Sequence, residues 1–363
     1  MNQEMREVTL KKRLRPFNIG PLTIRWLSYL VPLVLVGLAV HLLLPQIAGL
    51  KQAWQTIQQM PWWLVALAVV AQIASYSGSG YLLTALAAML QERLTLLRGT
   101  IITLAGSSMG LVAGGVVGNS AAIFRWTAGS GVSGQAAGLC GTLPSLFNNL
   151  LLVVMAILGL FHLLVIHQLT RLQGISFSLI LTLLTLLVAT AVYGVTHPAW
   201  LLRVMKSLAK WWAALRKRPY NPATTENNVN QLVNTWIILR NGGWRGPALG
   251  AGLNIGFDML TLYLVFVASG HAVSPGVLLT GYGLPLLIGK VGFLPGGVGI
   301  VEATMTAIYV SMGVPNHVTV VVILGYRLIS FWLPTLLGFP LALYLQQIAH
   351  APVSQQTKTE GSS

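Results

Sequence analysis

Six long apolar runs dominate this chain, at 26–45, 62–88, 135–166, 175–196, 247–269 and 317–347. About 20 consecutive apolar residues cross the roughly 30 Å hydrocarbon layer of a bilayer, so each run is long enough to span it. Inside lipid every backbone N–H and C=O must be satisfied within the protein, and for separate runs of this length that means helices. The expected fold is therefore an all-α polytopic integral membrane protein. Charged residues make up 8% of the 363, against about 25% in soluble domains, which excludes a globule carrying a single anchor.

Two further apolar stretches, 99–128 and 276–312, are broken by glycine. The second break is Pro295-Gly296-Gly297-Val298-Gly299, with Lys290 before it and Glu302 after it. Proline and glycine side by side end one helix and let backbone approach closely at the start of the next. At membrane depth such a break is tolerated only where protein or a water-filled cavity satisfies the freed groups. If each broken stretch is a re-entrant hairpin, the chain has six full spans plus two hairpins, eight or more hydrophobic helices. If they cross fully, the count rises to about ten.

The two broken stretches align when the sequence is slid along itself. Segment 113–133 then lies over 295–315, and Gly114/Gly296, Gly115/Gly297, Val116/Val298, Ala121/Ala303, Gly131/Gly313 and Val132/Val314 coincide. The segments enter from opposite sides. Broken helices at equivalent places in two inverted halves are the pattern of alternating-access transporters, with the binding site between the halves. Gly114, Gly115, Pro295, Gly296, Gly297 and Gly299 are the expected hinge and backbone positions. The domain organisation that follows is a basic tail 1–25, a transmembrane domain 26–347 and a disordered tail 348–363. The halves, about 26–196 and 247–347, are joined by a basic linker 197–246.

The formal charge of +15 invites a nucleic-acid reading, but its distribution points elsewhere. Seventeen of the 22 Lys and Arg residues fall in the N-tail, the 91–98 loop, the 197–246 linker and the C-tail, and the alternate loops hold Lys51, Arg171 and none. This bias puts both termini in the cytoplasm, makes the inner or plasma membrane the expected location, and makes nucleic acid an unexpected partner. Within 203–218, Arg203, Lys206 and Lys210 interleave with Leu208 and Trp211. That is the pattern of a helix lying on an anionic leaflet, and equally of an ordinary helix packed on the protein. KQAWQTIQQM (51–60) reads as a short interfacial helix.

Five ionisable residues lie in apolar surroundings: Arg125, Asp258, Lys290, Glu302 and Arg327. Each costs roughly 2.5–3.5 kcal/mol at mid-bilayer on insertion scales, so a shared interior substrate-binding site is the economical arrangement. Its one excess positive charge suits an anionic headgroup such as a phosphate, which arginine can grip through two nitrogens. The bland alternative is that Glu302 locks the bundle by pairing with Lys290 or Arg327, while Lys290 snorkels to an interface. Asn119, Asn148, Asn149 and Asn254 are expected to hydrogen-bond between helices, and Gly246/Gly250 and Gly252/Gly256 to allow close helix packing. The histidines form no i, i+4 ligand pair and the single Cys140 no cysteine site, so no metal or cofactor is expected.

PGGVGIVEA (295–303) followed by GYRLISFWLPTLLG (325–338) resembles the paired signature of the lysylphosphatidylglycerol synthase transmembrane-region, or flippase-like, family. The signature positions are Pro295, Gly296, Gly297, Gly299, Glu302, Tyr326, Arg327, Trp332 and Pro334. The resemblance covers about 25–347. The first broken segment departs from it: a Pro-Gly-Arg-x-Gly-Glu-like sequence is replaced by Ala113-Gly114-Gly115-Val116-Val117-Gly118-Asn119, and a Glu-Arg pair is missing near Pro144-Ser145. The resemblance implies a module that moves lipids between leaflets, without the aminoacyl transferase to which it is fused in the multiple peptide resistance factors. The expectation is a non-enzymatic protein that binds and moves an anionic or aminoacylated (glyco)phospholipid. Arg125 and Arg327 would hold the headgroup, and Glu302 and Asp258 would balance charge. The alternative is a non-catalytic subunit or scaffold of a lipid- or glycan-synthesis enzyme.

Overall fold

The computed structural model describes residues 50–349 apart from 113–114, 167–170, 216–221, 292–294 and scattered positions between 224 and 242, all within the compact unit Gln46–Ser363. The expected basic tail, the first span at 26–45, Gly114 and the tail 348–363 fall wholly or almost wholly outside the described residues. The described elements are helical, with no strand among them. In chain order the first half contains α1 (Leu50–Gln59), α2 (Trp62–Ala88), α3 (Leu96–Val112), α4 (Val116–Ala128), α5 (Gly134–Ile166) and α6 (Arg171–Thr196). The linker carries α7 (Pro198–Leu215), and the second half is α8 (Arg245–Ala268), α9 (Pro275–Val291), α10 (Ile300–Ser311), α11 (Asn316–Arg327) and α12 (Leu333–Ala349).

Four helices are long and apolar enough to cross a membrane: α2, α5, α8 and the run Asn316–Gln347 formed by α11 and α12. They coincide with four of the six expected spans, and α6 covers the expected 175–196. Large apolar side chains such as Trp62, Val117, Leu172, Leu336 and Leu343 stay exposed on the bundle, as a lipid-facing surface requires.

Each of the two broken stretches folds as a helical hairpin whose second leg is short. At about 1.5 Å per residue, the 13 residues of α4 and the 12 of α10 reach only about 20 Å and 18 Å, short of a crossing. Each hairpin also closes at its open end. Glu92, before α3, accepts from the Ser133 N–H, beyond α4, at 2.7 Å. Tyr309, near the end of α10, donates to the Leu278 carbonyl, near the start of α9, at 3.4 Å. Chain entering beside its exit has turned back.

The internal repeat extends well past the glycine match that suggested it. At the same offset, α2 falls on α8, α3 on α9, α4 on α10, and Gly134, which begins α5, falls on Asn316, which begins α11. The backbone repeats too: Gly115 and Gly297 have φ of +67° and +65°, and Gly131 and Gly313 have φ of +90° and +89°. These left-handed conformations are open to glycine at little cost, which is why glycine survives at both places while surrounding side chains diverge. The helices α2 and α8 pack antiparallel as the most extensive contact of the bundle, with Thr261 beside Ala68, Ser75 beside Asn254 and Gly250 against Leu82. The halves therefore run in opposite senses. Each hairpin's first leg packs on the other half's long helix, α3 on α12 and α9 on α5.

A Cβ at Gly250 would lie 2.7 Å from the Leu82 backbone, so the expected close packing is present there. It is absent at Gly252 and Gly256, where nothing lies within 4 Å, which corrects that expectation. The cause is a difference between the halves: α3 packs broadly on α2, whereas α9 barely touches α8. The space left is an apolar cavity of about 420 Å³ lined by Gly256, Met259, Leu260 and Tyr263 of α8 and by Pro275 and Leu278 of α9.

Candidate functional site

The second break is held by its own side chains. Gly296, Gly297 and Gly299 all have positive φ, turning the chain between α9 and α10 within a few residues. A Cβ at Gly296 would sit 2.4 Å from the Phe331 ring, so the side chain is excluded by space as well as by backbone. Glu302 is the third residue of α10, and its Oε2 accepts from the Gly299 N–H at 2.6 Å, satisfying one of the free donors that a helix start leaves. Its Oε1 accepts from Arg327 Nε at 2.6 Å. Arg327 Nη2 donates to the Gly296 carbonyl at 3.0 Å, and the guanidinium stacks over Phe331 at 4.3 Å. Glu302 and Arg327 are 8% and 5% exposed, so the charges are paired in a place where neither could stand alone.

The long last helix changes register at this point. Leu328–Trp332 is a π-helical turn between α11 and α12. Such turns often occur at functional sites. Pro334 has no N–H to give the Ser330 carbonyl in α-helical register, and that carbonyl accepts from Tyr76 of α2 at 3.4 Å. The π turn places Phe331 against Gly296 while Arg327, one turn earlier, reaches Glu302.

Asp258 belongs to the same polar interior. Its Oδ2 accepts from Tyr282 of α9 at 2.6 Å and from Tyr326 of α11 at 2.7 Å. One carboxylate oxygen thus joins three helices. Tyr326 precedes Arg327, so the two acidic centres are linked through adjacent residues of α11. Gln72 of α2 lies beside the Asp258 carboxylate, and its Oε1 is buried without a hydrogen-bond partner. One turn away Ser75 donates to the Asn254 carbonyl at 2.8 Å and to Asn254 Oδ1 at 2.9 Å, and Asn254 reaches Asn148 at 3.4 Å.

Of the five expected residues, Asp258, Glu302 and Arg327 converge. Lys290, in the last turn of α9, donates to Asn149 of α5. Arg125 lies exposed in the last turn of α4. The expected interhelical role of the asparagines holds for Asn148, Asn149 and Asn254, while Asn119 Oδ1 is buried without a partner. Sequence reasoning missed Gln72, Tyr76 and Tyr282. Gln72 carried a signal, being an amide in the middle of an otherwise apolar run. The tyrosines carried none, since a buried tyrosine reads as core until its hydroxyl has a partner.

The two halves differ chemically at equivalent places. In the repeat, Glu302 and Arg327 correspond to Ser120 and Ser145, and Asp258 corresponds to Tyr76. The ionic site belongs to the second half alone.

Similar proteins carry one description. The chain is 35% identical over 88 residues to UPF0104 membrane protein PH1989 of Pyrococcus horikoshii, covering 24% of this chain and 26% of the relative. It is 40% identical over 81 residues to a UPF0104 membrane protein of Methanothermobacter thermautotrophicus, 22% of this chain and 24% of that one. It is 25% identical over 165 residues to UPF0104 membrane protein MJ1595 of Methanocaldococcus jannaschii, 44% of this chain and 49% of that one. The matches thus span between about a quarter and a half of these relatives' length. Residues 29–338, most of the chain, match the family described as the lysylphosphatidylglycerol synthase TM region, and the chain belongs to that family.

Proposed function

We propose that this multi-pass membrane protein binds a lipid with an anionic or aminoacylated headgroup and moves it between leaflets, without chemical change to the lipid. The observation that carries the reading is the buried Arg327–Glu302 pair fixed to the broken backbone of a helical hairpin. Arg327 there is satisfied by a carboxylate, and a phosphate presents the same acceptor geometry. A headgroup that displaces Glu302 from Arg327 removes the cap from α10 and frees the Gly296–Gly299 turn to move. Arg327 exchanges one anion for another and stays paired throughout, while the displaced Glu302 carboxylate gives up its cation. Arg125 and Lys290 supply further positive charge along the path, and the apolar cavity between α8 and α9 offers room for an acyl chain. The inverted halves support alternating access around this site.

In this reading the protein lies in the cell membrane with both termini cytoplasmic, and α7 rests on the anionic leaflet. Arg203 and Lys210 are exposed beside Leu208 and Trp211, while Lys206 pairs with Glu226 at 2.5 Å.

Native mass spectrometry of the purified protein tests the binding step. An anionic or aminoacylated lipid should co-purify with the wild type and be lost from Arg327→Ala. A protein that carries no lipid, or carries the same lipid in both forms, contradicts the proposal.

A further inference from the structure

The Asp258–Gln72 contact is unused by the Arg327–Glu302 exchange, and its hydrogen bonding is incomplete in a specific way. A carboxylate can only accept. Asp258 Oδ2 already accepts two tyrosine hydroxyls. Gln72, 5% exposed and beside the carboxylate, can offer it an N–H, but then Gln72 Oε1 has no donor to accept from, and it has none in the structure. A protonated carboxyl beside a carboxamide has no such deficit. The acid O–H donates to the amide oxygen and supplies the donor that Gln72 Oε1 lacks, while the other acid oxygen keeps its two tyrosine donors.

We propose that Asp258 and Gln72 form a proton-binding pair, and that its occupancy sets how firmly α9 is held to α8 and α11. In the balanced step one proton binds Asp258 Oδ1, the O–H so formed donates to Gln72 Oε1, and nothing leaves. Oδ2 then becomes the carbonyl oxygen of a neutral acid. It still accepts from Tyr282 and Tyr326, but it has lost the ionised acceptor that makes such bonds roughly twice as strong as neutral ones. Because α8 and α9 barely touch otherwise, the Tyr282 bond is a main link between them, and protonation loosens the first leg of the hairpin that carries the glycine break.

The groups facing Asp258 are Gln72 and Tyr76 from α2, Tyr282 from α9, and Tyr326 and Arg327 from α11. From α5, Asn148 reaches Asn254, one turn before Asp258. Arg327 is committed to Glu302, whose two oxygens each have a donor. That leaves Asp258, and not Glu302, as the acid with an acceptor waiting for its proton. Proton binding as such is independent of the proposed lipid movement. Its use as a driving step rests on that reading.

Two measurements on the purified full chain in lipid nanodiscs test this, and neither requires lipid movement. Infrared difference spectra between high and low pH should show a protonated-carboxyl C=O band that shifts in D2O. The band should vanish in Asp258→Asn, persist at a changed frequency in Asp258→Glu, and move in Gln72→Leu, which removes the acceptor. Hydrogen exchange over Pro275–Val291, corrected for the intrinsic pH dependence, should be several-fold faster at low pH in the wild type and fast at both pH values in Asp258→Asn. A wild type without the band, a band unchanged in Asp258→Asn or in Gln72→Leu, or exchange that is the same at both pH values overturns the proposal. If the band behaves as expected while lipid translocation fails, the proton site stands and the lipid reading falls.

Discussion

Removing Glu302 should cost more than removing almost any other side chain of the second half. Its partner Arg327 is 5% exposed, and its guanidinium is held by Glu302, the Gly296 carbonyl and the Phe331 ring. Glu302→Ala leaves that charge buried with one neutral acceptor and leaves the Gly299 N–H uncapped. Breaking a buried pair from one side costs about 3–5 kcal/mol, a shift of roughly two to three and a half powers of ten in the folding equilibrium. Arg327→Leu strands the carboxylate and should cost a similar amount. The double variant Glu302→Leu/Arg327→Leu removes both charges, and because apolar replacement of a whole buried pair is often near neutral, it should cost well under the sum. Reversible unfolding in mixed micelles, followed by tryptophan fluorescence, reads all three. The expected coupling energy is about 2 kcal/mol or more, in the upper part of the range for residues in direct contact. Single variants within about 0.5 kcal/mol of wild type, the range of an ordinary surface substitution, would refute the view that this pair pins the break. Strictly additive costs would refute it equally.

Gly296→Ala meets both a positive φ and the Phe331 ring, so it should destabilise by about 2 kcal/mol or more in the same assay, whereas Gly252→Ala, with open space around it, should change stability little. Tyr282→Phe and Tyr326→Phe each remove a bond to a charged oxygen, about 1.5–3 kcal/mol, and should be non-additive because both bonds end on Asp258 Oδ2. Glu92→Ala should loosen the mouth of the first hairpin, seen as faster hydrogen exchange near Ser133 with exchange in α9 and α10 unchanged.

What could be read in the sequence followed from constraints on the backbone. Apolar runs and glycine breaks gave the spans, the hairpins and the internal repeat, because lipid restricts backbone far more than it restricts the choice among Leu, Val and Ile. That is why Gly115 and Gly297 still share a φ while Ser120 takes the place of Glu302. The pairing of Glu302 with Arg327 was visible as one of several ways to place five charges. Which of them met depends on how α11 packs beside α10, a tertiary contact that neither helix's composition shows. The role of Asp258 was hidden for a related reason. Its partners Gln72, Tyr282 and Tyr326 come from three helices far apart in sequence, so no spacing links them.

The central claim, that the glycine break and its ion pair move lipid, is tested most directly by flux. Proteoliposomes carrying the protein and fluorescent phosphatidylglycerol, treated with an impermeant quencher, report how fast inner-leaflet lipid becomes accessible. The account predicts a rate well above protein-free vesicles for the wild type and a rate near background for Glu302→Gln and Arg327→Ala that remain folded. A wild type indistinguishable from empty vesicles, or variants as fast as the wild type, would contradict it.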